Sequence, residues 1–533
     1  MWRTSACGIG RDANTFLRGF ERSASVGIIN RPRGYAWNPE KEDVMIKRHV
    51  SWLVVLVATL SGCEQLSPEM QVIHDAADAL GGVEAVQGVT SLRIEGSGSN
   101  FRLGQNRTPD AALPAAAVES YTLEMDLQSH RMRAEVASAN FSGRVSTAVT
   151  GMDENVAYNV GQGGPRRAAA AVAQERRAHF YHHPLTLLQA VLAEGEGAAA
   201  VGNLRQEMGH SMVDITTADG SELTLHVDAE TNQVLIITSM DYNSNLGDVM
   251  TATSFGDFAD AGGLMLPQAI TITLDGLPGR ELRVSHVVNA DIADLAAPAE
   301  VASAPEPGPN TANVTDEEIA DGVWFLAGQS HHSVLVEFPE YTVLVEAPQN
   351  DTRALGVIAR ARELVPDKPL RYVVNTHHHF DHSGGLRAAV AEGLTVLTHE
   401  TNQALYEELV SREHTITADH LAQNPAELML ETVAGDETYE LRDGNRVMEI
   451  FRVGDNPHAD GSLLVYLPAD RILIQADLYI PGVGGAFAES AAVLLQTIRD
   501  RELRVNQLVP IHGMLQSVSE LEEAVEGSEA GAN

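Results

Sequence analysis

Between Thr376 and Gly385 the chain reads Thr-His-His-His-Phe-Asp-His-Ser-Gly-Gly, which places His377, His379, Asp381 and His382 within six residues. The run just before it, Leu370-Arg371-Tyr372-Val373-Val374, is apolar enough for a buried strand. In extended backbone, residues i and i+2 face the same way, so His377 and His379 share a face. Asp381 and His382 then turn towards a neighbouring position. Neutral imidazoles and carboxylates are the donors that borderline divalent cations such as zinc prefer. Two adjacent cation positions suit this spacing better than one. A fold for this chain therefore has to deliver a strand end, a tight Gly384-Gly385 turn and a helix from Leu386 to Glu392 at one point.

Further donors stand at comparable places downstream. His458 lies in Asn456-Pro457-His458-Ala459-Asp460-Gly461-Ser462, ahead of an apolar run over Leu463–Leu467. Asp477 closes the run Arg471–Ala476, and His512 follows Leu508-Val509-Pro510-Ile511. Each is a ligand-type residue at the end of an apolar run or in a loop beside one. His378 alternates to the face opposite the ligands, where a backbone group or another residue behind the site is expected to satisfy it. Tyr479 either donates to a developing oxyanion or packs within its loop. His331 and His332, after Gly328-Gln329-Ser330, either line the mouth of the site or sit exposed in a turn.

Taken in order, these residues resemble those of the metallo-β-lactamase superfamily of hydrolases, and the likeness runs from about Thr315 to Val525. The resemblance implies an αβ/βα sandwich with all ligands on loops at one edge. It also implies that His377, His379 and His458 hold a first zinc and that Asp381, His382 and His512 hold a second, with Asp477 bridging the pair. A bridging carboxylate is more similar to the glyoxalase II and lactonase branches than to the β-lactamases proper. One position departs from the pattern. Where the family has an Asp, this chain has Glu346 in Val343-Leu344-Val345-Glu346-Ala347-Pro348, expected to brace the ligand loop from behind.

Zinc held by protein donors with an open position lowers the pKa of bound water from about 15.7 towards 7, and two ions can both share that nucleophile and polarise the electrophile. Asp381 is the expected catalytic carboxylate, orienting the hydroxide or relaying its proton. The same donors also bind iron or manganese. The resulting expectation is a hydrolase for an ester, thioester, lactone or amide. A β-lactamase is the rival enzyme, and a non-catalytic lipid- or partner-binding lipoprotein is the rival from another class. Selectivity should reside in loops around the site, including residues 401–439.

Met45-Ile46-Lys47-Arg48-His49 leads into the apolar stretch Val50–Leu60 and ends in Leu60-Ser61-Gly62-Cys63. The stretch has the length of a signal-peptide core and is short for a membrane span. Its end resembles a bacterial lipobox. This implies a signal peptide over 45–62, lipidation at Cys63 and a periplasmic protein anchored to a membrane. Glu64 rather than Asp after the Cys favours the outer membrane. Residues 1–44 then read as a mis-assigned extension ahead of a true start at Met45. Beyond Cys63 the chain has no cysteine, so an oxidising compartment forces no disulfide. The net charge of −37 repels phosphate backbones, which excludes a nucleic-acid partner and leaves a small-molecule substrate.

Between anchor and hydrolase, residues 63–295 open with helical spacing from Pro68 to Leu80 and then change to short alternating runs. Examples are Ser91–Glu95, Tyr121–Leu127 and Glu222–Val227. Period-two alternation in many pieces predicts an antiparallel sheet with one covered face. Helix-like sequence within 166–200 interrupts it, and His182-His183-Pro184 there reads as a helix-entry turn rather than a metal site. The pattern alone is similar to that of periplasmic lipid and lipoprotein carriers. The Ala/Pro-rich stretch 296–314 reads as a linker, 315–526 as the hydrolase, and 527–533 as a tail. Gly482–Phe487 lacks the spacing and strand context of a dinucleotide-binding loop. The fold class is α+β: a metallo-β-lactamase-like sandwich preceded by a mostly antiparallel β domain.

Overall fold

Alternating side chains make the first half of the protein a sheet. In the strand Glu222–Asp228, Leu223, Leu225 and Val227 are buried while Glu222, Thr224 and His226 are not. The computed structural model describes residues 66–140, 143–308, 312–480 and 487–531. The extension, the signal segment, Cys63 and most of the Gly482–Phe487 loop lie outside the described residues. Thirteen strands form one sheet, antiparallel throughout. The chain meanders from Ser91–Phe101 outward to an edge at Gly164–Arg167, then crosses to the opposite edge at Ala200–Glu207. From there it meanders back until Leu277–Val288 pairs with the first strand, Leu92 opposite Val288 and Asn100 opposite Arg280.

Helices cover one face of this sheet. Pro68–Leu80 starts where the Ser67 hydroxyl accepts from the Met70 amide (3.2 Å), stops at Gly81, and buries Ile73, Ala76, Ala77 and Leu80. The crossing segment supplies Ala170–Phe180 and Pro184–Leu192, whose Leu185, Leu187 and Leu188 are wholly buried in the same core. His183 caps the second of these, its Nδ1 accepting from the Leu185 amide at 3.3 Å, so the double histidine is indeed a helix entry. No helix among the described residues is long and apolar enough to cross a membrane.

The second half carries two facing sheets. One has seven strands, from Thr315–Ala320 to Met429–Val433, and the other five, from Thr438–Asp443 to Gln507–Pro510. Their inner faces share a core of Val334, Val336, Val343, Val345, Val374, Ile450, Val465 and Ile474. Asp351–Leu364, Leu386–Ala391 and Gln403–Ser411 pack on the outside of the first sheet. Ala488–Asp500 and Val518–Gly531 pack on the outside of the second. The last helix runs through most of the stretch read from sequence as a tail. This is the layered α/β sandwich expected, with a large antiparallel sheet domain ahead of it.

The Ala/Pro stretch 296–314 is built into the molecule. It contains a short helix, Ala299–Ala302. Arg167 donates to the Ala304 carbonyl (2.7 Å) on one side, and Arg353 to the Asn313 carbonyl (3.2 Å) on the other. Its polar backbone is thus used for packing. Composition alone suggested a spacer because Ala and Pro carry no side-chain signal for such contacts.

Candidate metal centre

The strand Leu370–Val374 runs through the core and ends at Asn375-Thr376, so the next residues emerge at the edge between the two sheets. Glu346, at the end of the parallel neighbour Thr342–Val345, lies behind them, fully buried and at φ 68°. Its carboxylate accepts from the Thr376 amide at 2.7 Å and lies 3.7 Å from His382 Nδ1. Left-handed backbone at a residue with a Cβ costs energy and persists where surroundings enforce it. Asn375 closes the loop from inside by donating to the His382 carbonyl (2.9 Å), and Ser383 donates to the His378 carbonyl (3.0 Å).

His377, His379 and His458 converge. Their ring centroids lie 4.6 Å (His377–His379), 4.5 Å (His379–His458) and 5.2 Å (His377–His458) apart. His458 is placed by Asn456, whose side chain accepts from the His458 amide (3.0 Å) and donates to Ser462 Oγ (3.1 Å). Each ring leaves one buried nitrogen without a hydrogen-bond partner: Nε2 of His377, Nδ1 of His379 and Nε2 of His458. An unpartnered buried polar atom is costly, and three facing one point is a pattern that a cation relieves.

A second group stands beside the first. His331, Asp381, His382 and His512 bring one ligand-type atom each within 4.8 Å of one another. His331 Nε2 is 3.2 Å from Asp381 Oδ2, and its ring centroid is 3.7 Å from that of His512. Asp477 lies between the groups, at φ 58°. One carboxylate oxygen is 3.2 Å from His382 Nε2 and 3.3 Å from His458 Nε2, and the other is 3.2 Å from His512 Nε2. Gln475 holds the turn that presents it, accepting from the Leu478 and Tyr479 amides.

The electrostatics follow from burial. Burial pushes His379 down to about 3, helped by the neighbouring His458, and His512 down to about 4. These rings are therefore neutral, the form that coordinates metals. His382 goes the other way. Burial opposes its charge, but Asp477 and Glu346 hold its pKa well above the ordinary imidazole value. Burial also opposes the Asp381 carboxylate, yet the His331 hydrogen bond and the His382 charge keep it below the usual range. Carboxylates and neutral imidazoles with orphaned nitrogens make a donor set that fits zinc or a similar ion, and His382 joins it when a cation displaces its proton.

Residues 327–500 match the family model of the Metallo-beta-lactamase superfamily. The protein contains a metallo-β-lactamase superfamily domain. Its solved structural neighbours include a metallo-β-lactamase from Pontibacter korlensis, 21% identical, covering 41% of this chain and 99% of that one, with a TM-score of 0.32. Another is the metallo-β-lactamase FIM-1 from Pseudomonas aeruginosa in its mono-zinc form, 20% identical over 42% of this chain and 98% of that one, TM-score 0.33. A third, from Hirschia baltica, is 19% identical over 40% and 97%, TM-score 0.32. No curated protein matches the chain.

The fold brings His377, His379, Asp381, His382, His458, Asp477 and His512 into adjoining groups. It also brings His331, which sequence left open between a site residue and an exposed turn. His331 is buried because its turn is tied down: the His332 amide donates to the Ile511 carbonyl (2.8 Å), next to His512, and the buried Arg353 guanidinium donates to the His331 carbonyl (3.0 Å). His378 meets backbone through one nitrogen, its Nε2 lying 2.8 Å from the Asn106 carbonyl, while its Nδ1 is buried without a partner. Tyr479 points away, donating to the Glu520 carbonyl (3.3 Å), so the packed-loop alternative holds.

Sequence reading missed the contribution of the N-terminal sheet. Gln105 donates to Asp381 Oδ1 at 2.7 Å. A cleft of about 480 Å³ is lined by His379 and His458 together with Arg102, Gln105 and Ala116 of the N-terminal half and Phe487. A hollow of about 580 Å³ lined by Leu127, His130, Phe180 and Tyr181 shares no residue with the histidine groups.

Proposed function

We propose that the protein is a dinuclear zinc hydrolase that cleaves a small ester, thioester, lactone or amide at the cell envelope. The observation that carries this reading is Asp477, whose two oxygens lie 3.2–3.3 Å from histidines of both groups. In this reading His377, His379 and His458 would hold one ion and Asp381, His382 and His512 the other, with Asp477 beside both groups. Zinc so bound would supply Lewis acidity and a water molecule acidified towards neutral pH.

The chain's own residues supply orientation. Asp381 is held ionised, with Oδ1 on Gln105 and Oδ2 facing His331 and, at 4.0 Å, His512. Its Oδ2 is the atom placed to orient water or take its proton. Glu346 fixes the backbone from which His377 and His379 project. The cleft admits a small molecule and shields the reacting carbonyl from bulk solvent on the side of the N-terminal sheet.

The lipobox-like Leu60-Ser61-Gly62-Cys63 supports a lipid anchor at Cys63 and a periplasmic position, with the outer membrane favoured. The net charge of −37 supports a small-molecule substrate over a nucleic acid. The test is metal analysis of the purified protein, followed by thioester, lactone, ester, amide, cephalosporin and phosphodiester panels with and without chelator. The expected result is two zinc equivalents per chain and chelator-sensitive hydrolysis of an acyl substrate, restored by added zinc. Metal-loaded protein silent on every panel would leave the binding-protein reading instead. Cephalosporin turnover above all others would make it a β-lactamase.

A further inference from the structure

The segment that leaves the first strand of the N-terminal sheet reaches the ligand loops with several separate contacts. Gln105 Nε2 donates to Asp381 Oδ1 (2.7 Å). The Asn106 carbonyl lies 2.8 Å from His378 Nε2 and 3.0 Å from His379 Nε2. The Gly104 carbonyl accepts from the Phe380 amide (3.2 Å), and the Arg107 carbonyl from the Asp460 amide (2.8 Å), two residues beyond His458. The segment is stiff. Asn106 is buried and its side chain donates to the Pro109 (2.9 Å) and Ala111 (3.3 Å) carbonyls. Gly104 sits at φ 68°, where a Cβ would run into the Phe380 ring.

These contacts have chemical consequences. A carbonyl only accepts, so the Asn106 oxygen fixes the proton of neutral His379 on Nε2 and leaves the lone pair on Nδ1. That Nδ1 is the nitrogen left without a partner, facing His377 and His458. A carboxylate likewise accepts only, so the Gln105 side chain must present its NH₂ to Asp381. With Oδ1 engaged there, Oδ2 is turned to His331 and His512. Groups behind metal ligands set their tautomer, orientation and basicity. Here they come from another sheet, 276 residues upstream in the case of Gln105 and Asp381.

We infer that the segment 104–107 of the N-terminal sheet is a working part of the metal centre, with Gln105 a positioning residue for Asp381 and the Asn106 carbonyl a positioning group for His379. The inference rests on the dinuclear reading above. It makes the N-terminal sheet a partner in the chemistry rather than a spacer.

The test uses the full-length chain and two variants, Gln105→Ala and Gln105→Met. The second keeps length and shape while removing the donor. Each is loaded with cobalt(II), whose visible absorption reports the ligand field, and zinc retention is measured by chelator competition. Both variants should fold as the parent does, judged by circular dichroism. Both should lose about 10–100-fold in affinity for the second ion, with an altered cobalt spectrum and a fall in kcat at nearly constant KM. Unchanged affinity and an unchanged spectrum in both variants would overturn the inference, as would parent-like behaviour of Gln105→Met alone, which would make the contact one of packing. A parent protein that takes up no metal would instead overturn the dinuclear reading.

Discussion

His379 has two nitrogens with different duties, one on the Asn106 carbonyl and one facing His377 and His458. Replacing it by Ala should abolish turnover and leave the far-ultraviolet dichroism largely intact, because the ring packs against other site residues rather than in the apolar core. Activity close to the parent's would show that the ligand assignment is wrong. Glu346 poses a finer question. Glu346→Gln keeps an acceptor for the Thr376 amide but removes the charge beside His382. The expected cost is about 10–100-fold in metal affinity, read by chelator competition, with little change in the thermal midpoint of the metal-free protein. At this scale most of the site was legible. His377, His379, Asp381 and His382 lie in one loop, and His458, Asp477 and His512 each follow or precede an apolar run. His331 was not, because its burial depends on Arg353 and on the Ile511 carbonyl, neither of which leaves a mark near it in sequence. Gln105 was still less so, since a polar residue in a turn has no local signal for a partner hundreds of residues away.

Elements of the hydrolase half were legible because strands such as Leu463–Leu467 are continuous apolar runs and the helices between them carry periodic faces. In the N-terminal half alternation showed strands and their antiparallel pairing. It could not show that the first strand closes against the last, a pairing set by long-range packing. The helices laid on that sheet carry their own chemistry. His182 meets Thr253 Oγ1 (2.8 Å) and Ser239 Oγ (2.9 Å), with His179 and Asp241 alongside, and His183 meets His286 (3.1 Å). Burial pushes His182 down to about 3, with a further push from the His179 charge, and pushes His286 down to about 4. Their unfolded values are about 6.5. The unfolded chain thus takes up these protons first as pH falls, so the stability is fully present above about 6.5 and is lost progressively down to the folded values. The loss approaches about 1.4 kcal/mol per pH unit for each group. Asp241 raises His179 despite burial and works in the opposite sense. Urea midpoints should therefore fall between pH 7 and pH 5, and His182→Gln should flatten that slope. A slope equal to the parent's would mean that His182 is already charged in the folded protein.

Across the whole molecule, residues 65–533 form one compact unit. The sheet domain grips the sandwich at two separate places. One is the segment 104–107. The other is Asp248, whose carboxylate accepts from the Thr415 (2.9 Å) and Ile416 (3.0 Å) amides, beside the Arg412–Asp275 ion pair. Calorimetry should accordingly show one cooperative transition for both halves. A ligand that binds only the folded state stabilises it by RT ln(1 + [L]/Kd), so chelation should lower that single transition as a whole. Two transitions, with only one sensitive to chelator, would mean that the halves unfold independently. Sequence suggested two bodies joined by a linker, since the residues that join them are ordinary loop residues whose role appears only on contact.

The oxygen that orients His379 belongs to the main chain of Asn106, so a change of side chain there leaves the acceptor itself in place. The first sheet can be exchanged for an unrelated one only where the newcomer offers a carbonyl at the same spot and a donor in the place of Gln105. A recombinant that keeps the histidines but swaps the front module should therefore lose the acceptor that orients His379.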